Sequence, residues 1–463
     1  MAIPRKKPYE HDDTVPPIGA LVKKTKTPAR SDSGVEYNYH SPRWSGEILD
    51  CSMPMTFDQY DHCSFNCLYC FSYNQKSLKE KNPLFKNETK GYQANKVRAV
   101  NPEHIRSLFN LEKETQYNDY IRDRITMQWG GLSDPFDMFE KKHRVGLDIF
   151  KILKGHEYPL CLSTKGTWWL DDPEYVALFE NEKAWNTKFS IINYDKTLAA
   201  KIEKGVPSPE DRLQAIQKYT DLNAGGATLR LRPFIIGMAT PNDEYLYLIE
   251  RAAKAGATAV STEFFCLEGR IHEGLRERYD EMSEAMQFDI VDFYRKNSPG
   301  QSGYLRLNWK IKEPYVNAME AACKKLGMRF YVSDAHHKDK CANGSCCGLG
   351  KGWNYQKGQF TEMLTLAKAR KDGKVYWSTD MAPHLEMFKK FLWRRADGFN
   401  TQGTRARMSR LNQTMYDYIH EAWNNPNQAK SPYKYFQGLL RPESSLDKNG
   451  DVVYKYCPYP ESK

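Results

Sequence analysis

From Ser52 onward the chain alternates short apolar runs with amphipathic stretches. The runs Met53–Phe57, Ile125–Trp129, Leu160–Ser163, Phe189–Asn193, Thr228–Ile236 and Ala259–Phe265 have the length and composition of strands. Helices are predicted between them at Asn101–Thr115, Lys141–Gly155, Asp171–Asn181, Ser208–Asn223, Asn242–Ala255 and Glu277–Lys296. Their ends carry chemical signals. Asn101-Pro102 is a capping residue followed by a first-turn proline. Ser208 has Asp211 three residues on, and Gly256 suits the left-handed position past a helix end. Strand and helix in turn, repeating every roughly 30–40 residues, imply βαβ units and a parallel sheet. Right-handed crossovers then curl that sheet, wholly or partly, into a (β/α) barrel. The expected fold class is α/β: a partial or complete parallel barrel over residues 46–310, an extended arm over 1–45 and a C-terminal extension over 311–463. Arg295–Gly303 reads as a boundary. Beyond it, Leu305–Trp309, a helix near Glu313–Leu326 and a strand at Arg329–Val332 are expected to extend the sheet.

Charge adds a partner to this picture. The formal charge is +10, with basic clusters at Arg5–Lys7, Lys23–Lys26, Arg394–Arg395 and Arg405–Arg410. That balance favours a polyanion, with DNA the first candidate. No apolar run is long enough to span a bilayer, and no apolar stretch backs the charged N-terminus as a secretory signal would, so no membrane partner is expected. Eleven cysteines without such a signal point to metal or redox work in a reducing, cytoplasmic setting.

Cys63, Cys67 and Cys70 stand at C-x3-C-x2-C spacing just after the first strand. A cubane cluster has four irons. Three thiolates on one tight loop leave the fourth iron open to a chelating ligand. Zinc is the bland alternative, yet zinc knuckles favour C-x2-C pairs that meet a second pair or histidines. After the second strand come Gly130 and Gly131, then Leu132-Ser133-Asp134-Pro135. Paired glycines there let the backbone approach a ligand closely. The spacing, with Tyr69 before the third cysteine, resembles the radical S-adenosylmethionine superfamily. That resemblance implies a [4Fe–4S] cluster on Cys63, Cys67 and Cys70, with S-adenosylmethionine on the open iron and Gly130-Gly131 at its amino group. Reductive cleavage would give a 5′-deoxyadenosyl radical that abstracts hydrogen from substrate. An electron donor such as flavodoxin or ferredoxin is implied with it.

GGLSDPF at 130–136, LSTKG at 162–166, FSIINYDKTLAAKIEKGVPSPEDR at 189–212 and LRPFIIG at 231–237 resemble the branch of spore photoproduct lyase and its relatives. The chain departs from that branch at Glu203-Lys204, where relatives often have Glu-Pro. The likeness covers about residues 50–270 and implies cofactor-side roles for Tyr69, Ser133, Asp134, Ser163, Lys165, Ser190, Asn193 and Arg232. Arginine suits a carboxylate or phosphate because its donors form a rigid fork. Glu263 becomes a candidate substrate contact, and Cys161 and Cys266 candidate hydrogen-atom donors. The implied substrate is a pyrimidine base, such as thymine in DNA, repaired, isomerised or further modified, with lyase or isomerase chemistry. Such a base must leave the helix to be reached, and Trp168-Trp169 is a candidate stacking pair. Peptide modification is the enzymatic alternative.

A second cysteine group, Cys341, Cys346 and Cys347, sits in a glycine-rich loop. An auxiliary Fe–S cluster, with Cys323 or Cys457 as fourth ligand, competes with zinc held partly by His336 or His337. A non-catalytic nucleic-acid-binding protein with two zinc sites is the alternative from another class. It accounts for the charge and the cysteines but not for Gly130-Gly131 and the βαβ periodicity together.

Overall fold

Eight strands form one sheet and lie in it in chain order: β1 Arg43–Trp44, β2 Met55–Phe57, β3 Met127–Trp129, β4 Leu160–Thr164, β5 Trp185–Ser190, β6 Ala227–Phe234, β7 Ala259–Phe264 and β8 Arg329–Val332. Every pair from β2 to β8 is parallel, and β1 runs antiparallel on the outside of β2. Among the described residues β8 does not pair with β1, so the sheet is open. The computed structural model describes residues 34–39, 41–73, 97–271, 273–300, 303–390 and 413–458. The four basic clusters lie outside these residues.

The crossovers are helical, as the periodicity implies. They comprise α1 Pro102–Phe109, α2 Met138–His143, α3 Val145–Gly155, α4 Pro173–Phe179, α5 Lys196–Ile202, α6 Pro209–Asp221, α7 Glu244–Lys254, α8 Glu273–Met286, α9 Ile290–Asn297 and α10 Trp309–Lys325. Asn101 caps α1, and Ser208 with Asp211 forms a complete capping box on α6. Gly256 follows α7 at φ +96°. Two helices expected as single rods are each broken. Arg144, at φ +57°, separates α2 from α3, while Gln287, at φ +50°, and the cap Asp289 separate α8 from α9. The stretch Leu305–Trp309 does not join the sheet. Tyr304–Leu305 pairs antiparallel with Leu267–Glu268, and Asn308 caps α10 at Trp309.

Alternation along each strand gives the sheet two unlike faces. One is apolar and carries the helices. Trp129 of β3 stacks on Phe150 of α3 at 4.1 Å, and Trp185 of β5 meets Phe179 of α4 at 4.8 Å. Tyr315 of α10 packs on Phe234 and Phe264. The other face is polar. In register across the strands run Ser163, Lys188 and Thr228, then Ser190, Arg230 and Ser261. Arg232 and Glu263 stand beyond them. This polar row explains why β5 is Trp185–Ser190 and not Phe189–Asn193: Asn186 and Lys188 hide the strand from an apolar reading.

The loop over residues 341–355 lies across the polar face. Cys161 of β4 donates to the Cys347 carbonyl at 3.7 Å, Ser261 donates to that of Cys346 at 3.0 Å, and Tyr331 donates to that of Leu349 at 2.7 Å. Gly348 sits at φ +83°, where a Cβ would fall 2.4 Å from Thr228 Oγ1. A second apolar core joins Ile48 and Leu49 to the C-terminal part, around Phe360, Trp377, Trp423 and Tyr454.

Candidate active site

The C-terminal ends of the parallel strands share one edge, where such sheets place their ligands. The cysteine loop leaves β2 at this edge. Cys63 and Cys67 are buried and Cys70 is half-buried, and all three thiols are free. The loop is braced from several sides. Asp137, the cap of α2, accepts from Ser64 N at 2.6 Å, and Ser64 Oγ accepts from Met138 N at 2.9 Å. Leu68 N donates to Ile202 O at 2.9 Å. Arg278 of α8 donates to the Leu68 carbonyl at 3.1 Å, to the Cys67 carbonyl and to Asn66 Oδ1 at 2.9 Å.

Burial is the main influence on the Cys63 and Cys67 thiols. It pushes Cys63 well above the ordinary range, with Asp137 and Asp134 adding to it. Cys67 is pushed up to about 12 by burial, opposed by Lys165. Among the described residues no three His, Cys, Asp or Glu side chains converge on one ion position. A cubane makes no such demand, because each thiolate binds its own iron. Cys67 and Cys70 both act electrostatically on Cys63, so the three free thiols share one braced loop that could hold a cubane.

The other expected residues gather nearby in differing roles. Gly130 stands at φ +90°, and a Cβ there would lie 2.4 Å from the Ser163 carbonyl oxygen. Only glycine allows that approach. Ser133 is held by Asp58, which accepts its N–H at 2.9 Å. Asp134 ties β3 to β4, accepting from Thr164 Oγ1 at 2.7 Å and Lys165 N at 2.6 Å. The Ser163 hydroxyl is buried without a hydrogen-bond partner among the described residues, an opening for a ligand at the edge. Lys165 projects over the Tyr69 ring at 5.7 Å and beside Cys67. Burial pulls its ammonium down, but Cys67, Glu203 and Asp134 outweigh this and hold it above the ordinary value. Asn193 is occupied within the chain, donating to Met238 O and to Glu244 at 3.1 Å and accepting from Asp195 N at 2.6 Å. Ser190 Oγ accepts from Arg230 at 3.3 Å.

Arg232 forms an ion pair with Glu263 and donates to Ser333 at 3.3 Å. Their side chains keep 32% and 25% of their surface accessible, so the pair is partly open to solvent. Cys266 lies beyond Glu263, its thiol 3.7 Å from Phe264 O and pushed up to about 12 by burial. Trp168-Trp169 does not face this edge. Trp169 is fully buried on Phe136 at 4.2 Å, and Trp168 donates to Phe136 O at 2.7 Å, so both serve the helix-side core.

Three residues at the edge escaped the sequence reading. Glu203 and Arg212 form a buried pair at 2.6 Å. Glu203 also accepts from Tyr69 OH, and Arg212 donates to Ser190 O at 2.7 Å. Burial pushes the Glu203 carboxyl up, but Arg212 and Lys165 outweigh it and hold it below its ordinary value. The third is Arg230. For Glu203 a signal was present, since Glu203-Lys204 is where the chain departs from the branch it resembles.

The second cysteine group is only partly as expected. Cys346 and Cys347 lie on the polar face, 3.9 Å apart at sulfur, with Cys51 beside Cys346. Cys341 bonds to the backbone of Val332 at the sheet margin. Cys323 is on α10, on the helix-covered face, so the sheet separates it from Cys346 and Cys347. Cys457 ends the C-terminal strand, and His336 and His337 sit beside Lys312 and Asp334.

No family model matches the chain. Uncharacterised proteins of Mycobacterium tuberculosis and Mycobacterium bovis are 27% identical over 240 residues, 49% of this chain. The chain spans 66% of the length of these curated relatives. Among solved structures, a spore photoproduct lyase mutant aligns over 64% of this chain and 80% of its own, at 16% identity and a TM-score of 0.45. Streptococcus suis SuiB aligns over 62% and 51%, at 11% identity and 0.37. TsrM of Kitasatospora setae, a radical S-adenosylmethionine methyltransferase, aligns over 46% and 36%, at 10% and 0.30. Likeness at scores this low carries no argument about activity. No helix among the described residues is long and apolar enough to cross a membrane.

Proposed function

We propose that the chain is a radical S-adenosylmethionine enzyme. The observation that carries this is the C-x3-C-x2-C loop, braced at the C-terminal end of β2 with Gly130, the buried Ser163 hydroxyl and Lys165 beside it. Cys63, Cys67 and Cys70 would hold a [4Fe–4S] cluster. When bound, it supplies the electron that cleaves S-adenosylmethionine to a 5′-deoxyadenosyl radical, which takes hydrogen from substrate. The chain's own residues bind and shield. Gly130 lets the backbone approach the cofactor, Lys165 offers a cation for its carboxylate, and the Tyr69–Glu203–Arg212 network fixes the wall behind it. Arg232 and Glu263, paired and partly accessible, would meet the substrate.

The substrate in this reading is a pyrimidine nucleotide, free or in DNA, isomerised, repaired or further modified. The formal charge of +10 supports it. A small electron-transfer protein would reduce the cluster. The test is anaerobic reconstitution, then dithionite with S-adenosylmethionine, assayed for 5′-deoxyadenosine. Wild type is expected to produce it and Cys67→Ala is not. Zinc in place of iron after anaerobic purification would defeat the reading.

A further inference from the structure

Glu203 meets the cysteine loop twice. Asn66-Cys67 and Glu203-Lys204 pair as two short antiparallel strands, with Cys67 opposite Glu203. The Glu203 carboxylate also accepts from the hydroxyl of Tyr69, the residue before Cys70. One buried carboxylate, 1% exposed, is thus fixed to the stretch that carries Cys67 and Cys70. Two cations share its surroundings. Arg212 of α6 pairs with it at 2.6 Å, and Lys165 lies over the Tyr69 ring at 5.7 Å. Beyond burial, Cys67 feels Lys165 and Arg212, which favour its thiolate, and Glu203, which opposes it. Asp134 and Asp137 act on Cys63, but burial pushes both carboxyls up, Asp137 to about 7. Burial pushes Glu203 up as well, yet Arg212 and Lys165 outweigh it and hold it below its ordinary value. Its charge is the fixed negative one beside this loop. Desolvating a buried ion pair costs about as much as its attraction returns, so stability is a weak reason for having one here.

We infer that Glu203 is a positioning residue whose buried charge lowers the reduction potential of the iron–sulfur group held by Cys63, Cys67 and Cys70, with Arg212 as its opposing charge. This rests on the proposed function, and the electron concerned is the one the reducing partner supplies there. An added electron is a negative charge. A fixed carboxylate in a site of low dielectric opposes its arrival, and a cation favours it. Net charge near the thiolates is one of the levers by which a protein sets such potentials. A lower potential makes the reduced form a stronger donor, which breaking the carbon–sulfur bond of a sulfonium requires.

The test uses the full chain, reconstituted anaerobically with iron and sulfide and kept free of S-adenosylmethionine. Midpoint potentials are measured by dye-mediated titration followed by electron paramagnetic resonance, in wild type, Glu203→Gln, Arg212→Met and the double variant. Iron and sulfide contents are measured alongside. Glutamine keeps an acceptor oxygen for Tyr69 and Arg212 and loses only the charge. Glu203→Gln is expected to move the midpoint to a more positive potential. At the wild-type midpoint its ratio of reduced to oxidised protein should rise at least about fivefold. Arg212→Met leaves the carboxylate without its partner and is expected to move the midpoint the other way. The double variant should fall between the two. A merely structural Glu203 would change iron content or thermal stability and would not drive the two single variants in opposite directions. Should Glu203→Gln hold no iron, the direction of the shift in Arg212→Met decides. Single variants that leave the midpoint unmoved, or move it the same way, overturn the inference and leave the radical reading standing. A wild type that holds zinc and no iron defeats both.

Discussion

Gly130 and the Glu203–Arg212 pair show how single residues set the edge of the sheet. Gly130→Ala places a Cβ against the Ser163 carbonyl in a left-handed conformation. It should cost about 1–3 kcal/mol and weaken S-adenosylmethionine binding, measured by urea unfolding and by titration. Arg212→Met removes the ion-pair partner of Glu203 at 1% exposure and leaves Tyr69 OH and the field of Lys165 to hold its charge. The expected loss is about 3–5 kcal/mol, and adding Glu203→Gln should recover part of it. No recovery in the double variant would mean that Arg212 acts through Ser190 O alone. Neither Glu203 nor Arg212 stands out in the sequence, because ion pairing nine residues apart has no signature until α5 and the turn after it bring the two together. Gly130 stands out through its context: a glycine pair is usually just a turn, and this one follows the strand next after the cysteine loop.

The helices and their ends behave as elementary chemistry requires. Asp172 caps α4 through Glu174 N at 3.0 Å and pairs with Arg144 at 2.6 Å. The Arg144 guanidinium holds the Asp172 carboxyl below its ordinary value. The stabilisation is therefore full above about pH 4 and is lost as pH falls through the depressed value. Asp172→Ala should cost about 1–2 kcal/mol at neutral pH, and the gap from wild type should narrow toward pH 2. A constant gap across that range would assign the effect to the cap alone. Arg144 also explains a boundary that periodicity misses. Apolar spacing runs through 141–155 without a pause, but Asp172 and Glu174 fix Arg144 at φ +57° and break the helix there.

The whole molecule is held at both ends by a buried cluster around Asp50. Its carboxylate accepts from Lys338 at 2.7 Å, Thr361 N at 2.9 Å and Tyr435 at 2.9 Å. It thereby joins the segment before β2 to the loop after β8 and to the C-terminal core. Asp50→Ala strands the Lys338 ammonium at 3% exposure. It should cost about 3–5 kcal/mol and loosen the C-terminal core first, read as faster amide exchange around Trp423 than around Trp129. Uniform loosening would mean that the two cores unfold as one.

The chain by itself determined the parallel α/β architecture, the cysteine loop at the end of its first parallel strand, and the glycine after the next. These depend on period, spacing and backbone sterics, all local quantities. Only the tertiary structure decided that Cys323 and Cys346 lie on opposite faces of the sheet and that Trp168-Trp169 belongs to the core. Those outcomes depend on which way each strand's alternation points, and a helix on one face and a loop on the other settle that.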